Sequence, residues 1–137
     1  MHQIIYMSQA PASMTPSTLA VIVMQARALN DQRHVTGALV YGQQQFMQLL
    51  EGEEAVVSAL YARIAQDPRH YNVFQLADKA IAARSFAQWS MAFEEVAADP
   101  FKALAGYASP EQLAQQLAAG SAVDGPLLER MKDLLRA

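Results

Sequence analysis

Cysteine is missing from this 137-residue chain. Its absence excludes disulfides, thiolate metal sites and cysteine nucleophiles. The other borderline ligands, His2, His34 and His70, are scattered without ligand spacing, which argues against a metalloenzyme. Basic runs are lacking as well. With a net charge of -3 and one tryptophan, the chain has no evident surface for neutralising a phosphate backbone. No apolar run approaches the length of a membrane span, and the amino terminus shows no basic leader ahead of an apolar core. What remains is the expectation of a cytoplasmic protein of one domain, binding neither nucleic acid nor membrane, and long enough to bury a real core.

Among what is present, residues 45–52 carry the most information, reading Gln45-Phe46-Met47-Gln48-Leu49-Leu50-Glu51-Gly52. The segment reads as a short buried strand entered from a turn. Alternation puts Phe46, Gln48 and Leu50 on one face and Met47, Leu49 and Glu51 on the other. A primary amide therefore sits between two large hydrophobes. Leaving its donors and acceptor unpaired costs roughly 1–3 kcal/mol, so something polar must meet Gln48. Either a neighbouring protein group or a bound heterocycle with a carbonyl and ring nitrogens satisfies that demand.

The rest of the chain surrounds this strand. His2 to Ser8 predicts a first strand with Ile4, Tyr6 and Ser8 on one face. Thr15 or Ser17 suits a cap and Pro16 a first helical turn, and Leu19, Ile22, Val23 and Ala26 give a helical stripe to about Asn30. Asn30 follows Leu19 by eleven residues, within about 20° on the helical wheel, so its amide points to the buried side with Arg27 at the edge. Val35 to Tyr41 forms a hairpin with the Gln48 strand. Glu53 and Glu54 open a second helix striped by Val56, Val57, Leu60 and Ile64, with Arg63 and Asp67 read as surface neighbours on it and His70 just beyond. Strands are expected from Tyr71 and over residues 86–96, the latter with Trp89, Met91 and Phe93 on one face. After the break at residues 97–100 a tail of helices follows, one opened by the capping-box pattern Ser109-Pro110-Glu111-Gln112 and a last one striped by Leu127, Leu128, Met131, Leu134 and Leu135.

This order predicts an α/β, ferredoxin-like βαββαββ sheet with both helices on one face and the tail on the other. Its two crossovers are expected to set the first strand beside the third in parallel at the centre. Residues 1–96 form the main unit, and 97–137 an extension of the same body. Tyr6, Gln48 and Asn30 then line a crevice between the helices, with Phe46 and Leu50 flanking Gln48 and Arg27, Arg63 and Asp67 at the mouth. A phenol, two amides and a rim of cations suit a flat ring with carbonyl and imide edges inside and phosphates outside.

Six segments in this order and spacing resemble one family: residues 6–8 (Tyr-Met-Ser), 26–30 (Ala-Arg-Ala-Leu-Asn), 35–39 (Val-Thr-Gly-Ala-Leu), 46–52 (Phe-Met-Gln-Leu-Leu-Glu-Gly), 67–70 (Asp-Pro-Arg-His) and 84–91 (Arg-Ser-Phe-Ala-Gln-Trp-Ser-Met). Over residues 1–96 the chain resembles the BLUF family, blue-light sensors using FAD. The resemblance implies a non-covalent FAD, with FMN or riboflavin as alternatives, and a sensor rather than an enzyme. It makes Tyr6 the electron and proton donor, Gln48 the relay to the flavin and Asn30 a partner of its imide edge. Arg27, Arg63, Asp67 and His70 would hold the imide edge, ribityl chain or phosphate, and Trp89 and Met91 would pass the signal on. A downstream signalling protein and a second copy of the chain are the expected partners. Two other readings stay open: an acylphosphatase-like hydrolase using Arg27 and Asn30, although the Gly-rich anion loop after the first strand is missing, and a flavinless interaction module in which Gln48 and Asn30 satisfy each other.

Overall fold

Local chemistry sets the first crossover. In the computed structural model, which describes residues 1–106, 108–120 and 124–135, β1 (His2–Gln9) leads into α1 (Pro16–Gln32). The Thr15 hydroxyl accepts from the Thr18 N–H at 3.1 Å, and Pro16, lacking an N–H, takes the first helical position at no hydrogen-bond cost. Then come β2 (Thr36–Gly42) and β3 (Gln45–Gly52), joined at Gln43 and Gln44 with φ of 52° and 59°. Such a tight turn needs left-handed backbone at both central residues to match strand twist, and here two glutamines adopt it without glycine. Gly37 is required for a different reason: a Cβ there would lie 2.0 Å from the Leu49 carbonyl oxygen, so β2 reaches its place on β3 only without a side chain at that position.

The second crossover runs through α2 (Glu54–Ala65) to β4 (Tyr71–Ala80), and β5 (Ala92–Glu95) completes a sheet ordered β4-β1-β3-β2-β5. Each crossover skips one lane, and that lane is filled by a strand of opposite direction. As a result β1 lies beside β3 as expected but antiparallel to it, correcting the expectation of a parallel pair; the register sets Tyr6 opposite Gln48. The last strand is also shorter than the alternation over residues 86–96 implies. Only Ala92–Glu95 pair, in parallel with β2. The backbone before them bonds elsewhere: the Ser85 and Phe86 N–H groups donate to the Glu51 side chain and the Trp89 carbonyl accepts from the Gly37 N–H.

Alternation along β1 and β3 feeds two hydrophobic clusters. Ile4, Phe46 and Leu50 pack with Leu19 and Val23 of α1 and Val57 and Leu60 of α2. On the opposite face Ile5, Met7, Met47 and Leu49 pack with the tail, made of α3 (Ala98–Leu104), α4 (Pro110–Ala118) and α5 (Asp124–Leu134). Phe101, Leu113, Leu127 and Met131 are the tail's contributions. The Ser109–Gln112 capping box forms reciprocally. Helix α3 is an element the sequence reading passed over, because Pro100 reads as a breaker whereas in a first turn it displaces no intrahelical bond. Among the described residues no helix is long and apolar enough to cross a membrane.

Candidate functional site

Over the helix-facing side of the sheet lies a cavity of about 460 Å³ between α1 and α2. Its walls are aliphatic, from Ile22, Ala26 and Leu29 on one helix and Leu60 and Ile64 on the other. Its floor is Tyr6 of β1, Leu39 of β2 and Phe46 and Gln48 of β3, and its mouth carries Arg63, Asp67 and Arg69. That volume and lining, mostly apolar with a few convergent polar groups, are those of a small-molecule site.

The polar floor follows from strand register. Because Tyr6 and Gln48 are directly opposed on one face, the phenol reaches across the strand pair and donates to Gln48 Oε1. The amide's other end, Nε2, lies 3.7 Å from Met91 Sδ, a weak acceptor. Burial pushes the Tyr6 phenol far above its ordinary value, and the neighbouring Tyr61 and Asp67 add to the shift, so the hydroxyl keeps its proton throughout the physiological range. Tyr61 stacks obliquely on Tyr6 with ring centroids 5.5 Å apart. The inward-facing Asn30 donates through Nδ2 to the Ser90 carbonyl at 2.7 Å, which leaves its second N–H and its oxygen available to a ligand. His70 is fixed by Ser8 Oγ at 2.7 Å from Nδ1 and by the Ile64 carbonyl at Nε2; the carbonyl accepts only, so Nε2 carries hydrogen.

Of the residues singled out from sequence, Tyr6, Asn30, Phe46, Gln48, Arg63, Asp67 and His70 meet at this cavity. Arg27 does not line it; its Nε donates to the Met91 carbonyl at 3.0 Å. Leu50 lies beneath it in the helix-side cluster. Trp89 is 41% exposed and lies away from the cavity, while Met91 is buried against Gln48. Asp67 falls beyond the end of α2 at Ala65 rather than on it beside Arg63. It pairs instead with Arg69, two residues on, which holds its carboxyl below the usual range. Arg69 and Gln25 are the polar lining residues that sequence reasoning did not assign to the site; they bond to each other at 2.8 Å. The signal for Arg69 was present in the Asp-Pro-Arg-His run, where a carboxylate two residues ahead of an arginine across a turn makes a local ion pair. Arg27 and Asn30, the pair a phosphate hydrolase would need, are both turned to main-chain carbonyls, and Gln48 and Asn30 have separate partners rather than each other.

Residues 1–92 match the family model for sensors of blue light using FAD, BLUF. The chain belongs to the BLUF family. The blue light- and temperature-regulated antirepressor BluF of Escherichia coli K12 is 43% identical over 70 residues, 51% of this chain but 17% of that protein. Among solved structures, BlsA in its photo-activated state superimposes with a TM-score of 0.76 at 28% identity, covering 99% of this chain and 95% of that one. Klebsiella pneumoniae BlrP1 with FMN and cyclic diGMP gives 0.64 at 33% identity over 69% of this chain and 25% of its own. As a BLUF protein the chain is a blue-light photoreceptor with a flavin cofactor. The cavity fits that cofactor: aliphatic walls suit the faces of a flat ring, amides its imide edge, and two guanidinium groups at the mouth a phosphate-bearing chain.

Proposed function

We propose that this BLUF protein senses light through Tyr6 and Gln48 and hands the change to a downstream protein. When bound, the flavin supplies blue-light absorption and an excited-state oxidant. Asn30 and Gln48 would meet its polar ring edge, with Phe46 beside them, and Arg63, Asp67, Arg69 and His70 would meet the chain that leaves the ring. Arg27 and Leu50 serve the framework around the site.

Supporting the reading above all is the Tyr6–Gln48 pair. A phenol held protonated by burial gives up an electron readily only if its proton leaves too, and Gln48 Oε1 is the acceptor already in place. Having taken part in that transfer, the amide exchanges donor and acceptor ends. A leucine has neither end. The exchange removes the Nε2 contact to Met91 Sδ, so a change at the floor is felt in the segment preceding β5. Helices α3, α4 and α5 pack on the far face and, as part of the same unit, are the surface a partner would read. Catalysis is not part of the role. The partners are a second copy of the chain and a signalling protein of the kind the E. coli antirepressor's name suggests, in the cytoplasm.

The test is an absorption spectrum of flavin-loaded protein before and after blue illumination. A small, reversible red shift of the flavin band is expected. Protein that binds flavin and stays optically unchanged contradicts the reading.

A further inference from the structure

Glu51 is fully buried on the tail-facing side of β3, three positions after Gln48 and on the other face of the strand. It lies outside the cavity, yet both its oxygens are engaged. Oε2 accepts from the Ser85 N–H at 2.8 Å, and Oε1 from the Phe86 N–H at 2.6 Å and the Thr36 hydroxyl at 2.9 Å. Arg84 closes the same knot from outside, donating to Thr36 Oγ1 at 2.8 Å, to the Glu51 carbonyl at 3.0 Å and to the His34 carbonyl at 2.7 Å. A buried acidic side chain is tolerated when its oxygens find donors, and two consecutive main-chain N–H groups on one carboxyl fix that stretch of backbone.

From this knot the chain crosses between the two hydrophobic clusters. Phe86 belongs to the tail-side cluster and Met91 to the helix-side cluster. In between, the carbonyls of Trp89, Ser90 and Met91 accept from Gly37, Asn30 and Arg27. One end of the segment is clamped by Glu51; at the other the main chain is held by Arg27, and only the Met91 thioether, a weak tie, touches the amide of Gln48.

We propose that Glu51 is a positioning residue for the light response: by clamping Ser85 and Phe86 it presents Met91 to the Gln48 amide and makes residues 84–91 the link between the two clusters. This rests on the reading of Gln48 as relay. Because the Phe86 end is fixed, displacement of Met91 falls on the bonds at the Trp89, Ser90 and Met91 carbonyls. Loosening the clamp frees Met91 from Gln48 and lowers the barrier to the amide's return.

The single tryptophan of the chain, Trp89, lies inside the segment and reports on it directly. In flavin-loaded Glu51→Gln, one amide N–H₂ faces donors that now lack an acceptor. Acrylamide quenching of Trp89 in the dark is expected to rise about twofold and thermal recovery after blue light to accelerate at least about fivefold, a modest barrier change. Thr36→Val, which removes one of the three donors and keeps the strand, should shift both readouts the same way by less, and carries the test if Glu51→Gln does not fold. Phe101→Ala, in the same cluster as Phe86 but against Gly42 at the opposite end of β2 from Thr36, should leave both at wild-type values below its melting temperature. Wild-type quenching and recovery in the clamp variants, or equal shifts in Phe101→Ala, would overturn the proposal. Absence of any light shift in wild type would defeat the Gln48 reading and with it the role of Glu51 in the light response, whereas a normal shift with unchanged dark quenching in the clamp variants would overturn the Glu51 proposal only.

Discussion

The two faces of the sheet are built from the same strands and do opposite things. Ile5, Met7, Met47 and Leu49 point to the tail and are sealed by Phe101, Leu113, Leu127 and Met131. One position along, Tyr6, Phe46 and Gln48 point to α1 and α2 and form the floor of an open cavity. Strand alternation makes this possible, because substituting one residue changes one face only. The tail side supplies close packing, which resists even small losses of volume. On the helix side that packing is given up for a cavity with a phenol and two amides held by specific partners. The difference teaches that stability and photochemistry are separable in this chain to the extent that the faces are.

The largest effect is expected on the cavity side. Tyr6→Phe removes the hydroxyl that donates to Gln48 Oε1 and the proposed source of the transferred electron and proton, so the light-induced band shift should vanish in difference spectroscopy while flavin binding persists. A wild-type response would mean that the electron comes from elsewhere, with Trp89 the first alternative. On the tail side, Phe101→Ala should destabilise by about 3–5 kcal/mol in urea unfolding, since the side chain is 1% exposed and leaves a cavity. Its dark flavin spectrum should be unchanged, and a shifted spectrum would show that the faces are not independent. Smaller still is Asp67→Asn. Arg69 first, together with main-chain bonding, lowers the Asp67 carboxyl. Its contribution is therefore present above the ordinary carboxylate range and lost as pH falls through the lowered value. The pair is 28% and 39% exposed, so solvent screening limits the effect to about 0.5 kcal/mol, seen as a flatter acid limb in melting curves below about pH 4.

How much of this was legible in the chain depends on which force decides each element. Where side-chain periodicity meets one buried surface, as in β1, α1, β3 and α2, pattern alone located the element and even the inward turn of Asn30. Direction was not legible from pattern: β1 and β3 alternate identically whether parallel or antiparallel, and the crossovers' lane-skipping decided it. Residues 86–91 alternate like a strand but lose their ladder to the Glu51 carboxyl and the Gly37 N–H, partners distant in sequence. The same blindness explains Arg27 and Leu50, whose helix and strand faces were read correctly while their depth beside the cavity was not. Arg69 was hidden by an expected helical neighbour for Asp67 that the end of α2 at Ala65 forbids.

The most direct measurement compares the light-minus-dark absorption of flavin-loaded wild type with that of Gln48→Leu. A red shift of the flavin band is expected in the first and none in the second, with flavin bound in both. A normal shift in Gln48→Leu would contradict the relay role of Gln48.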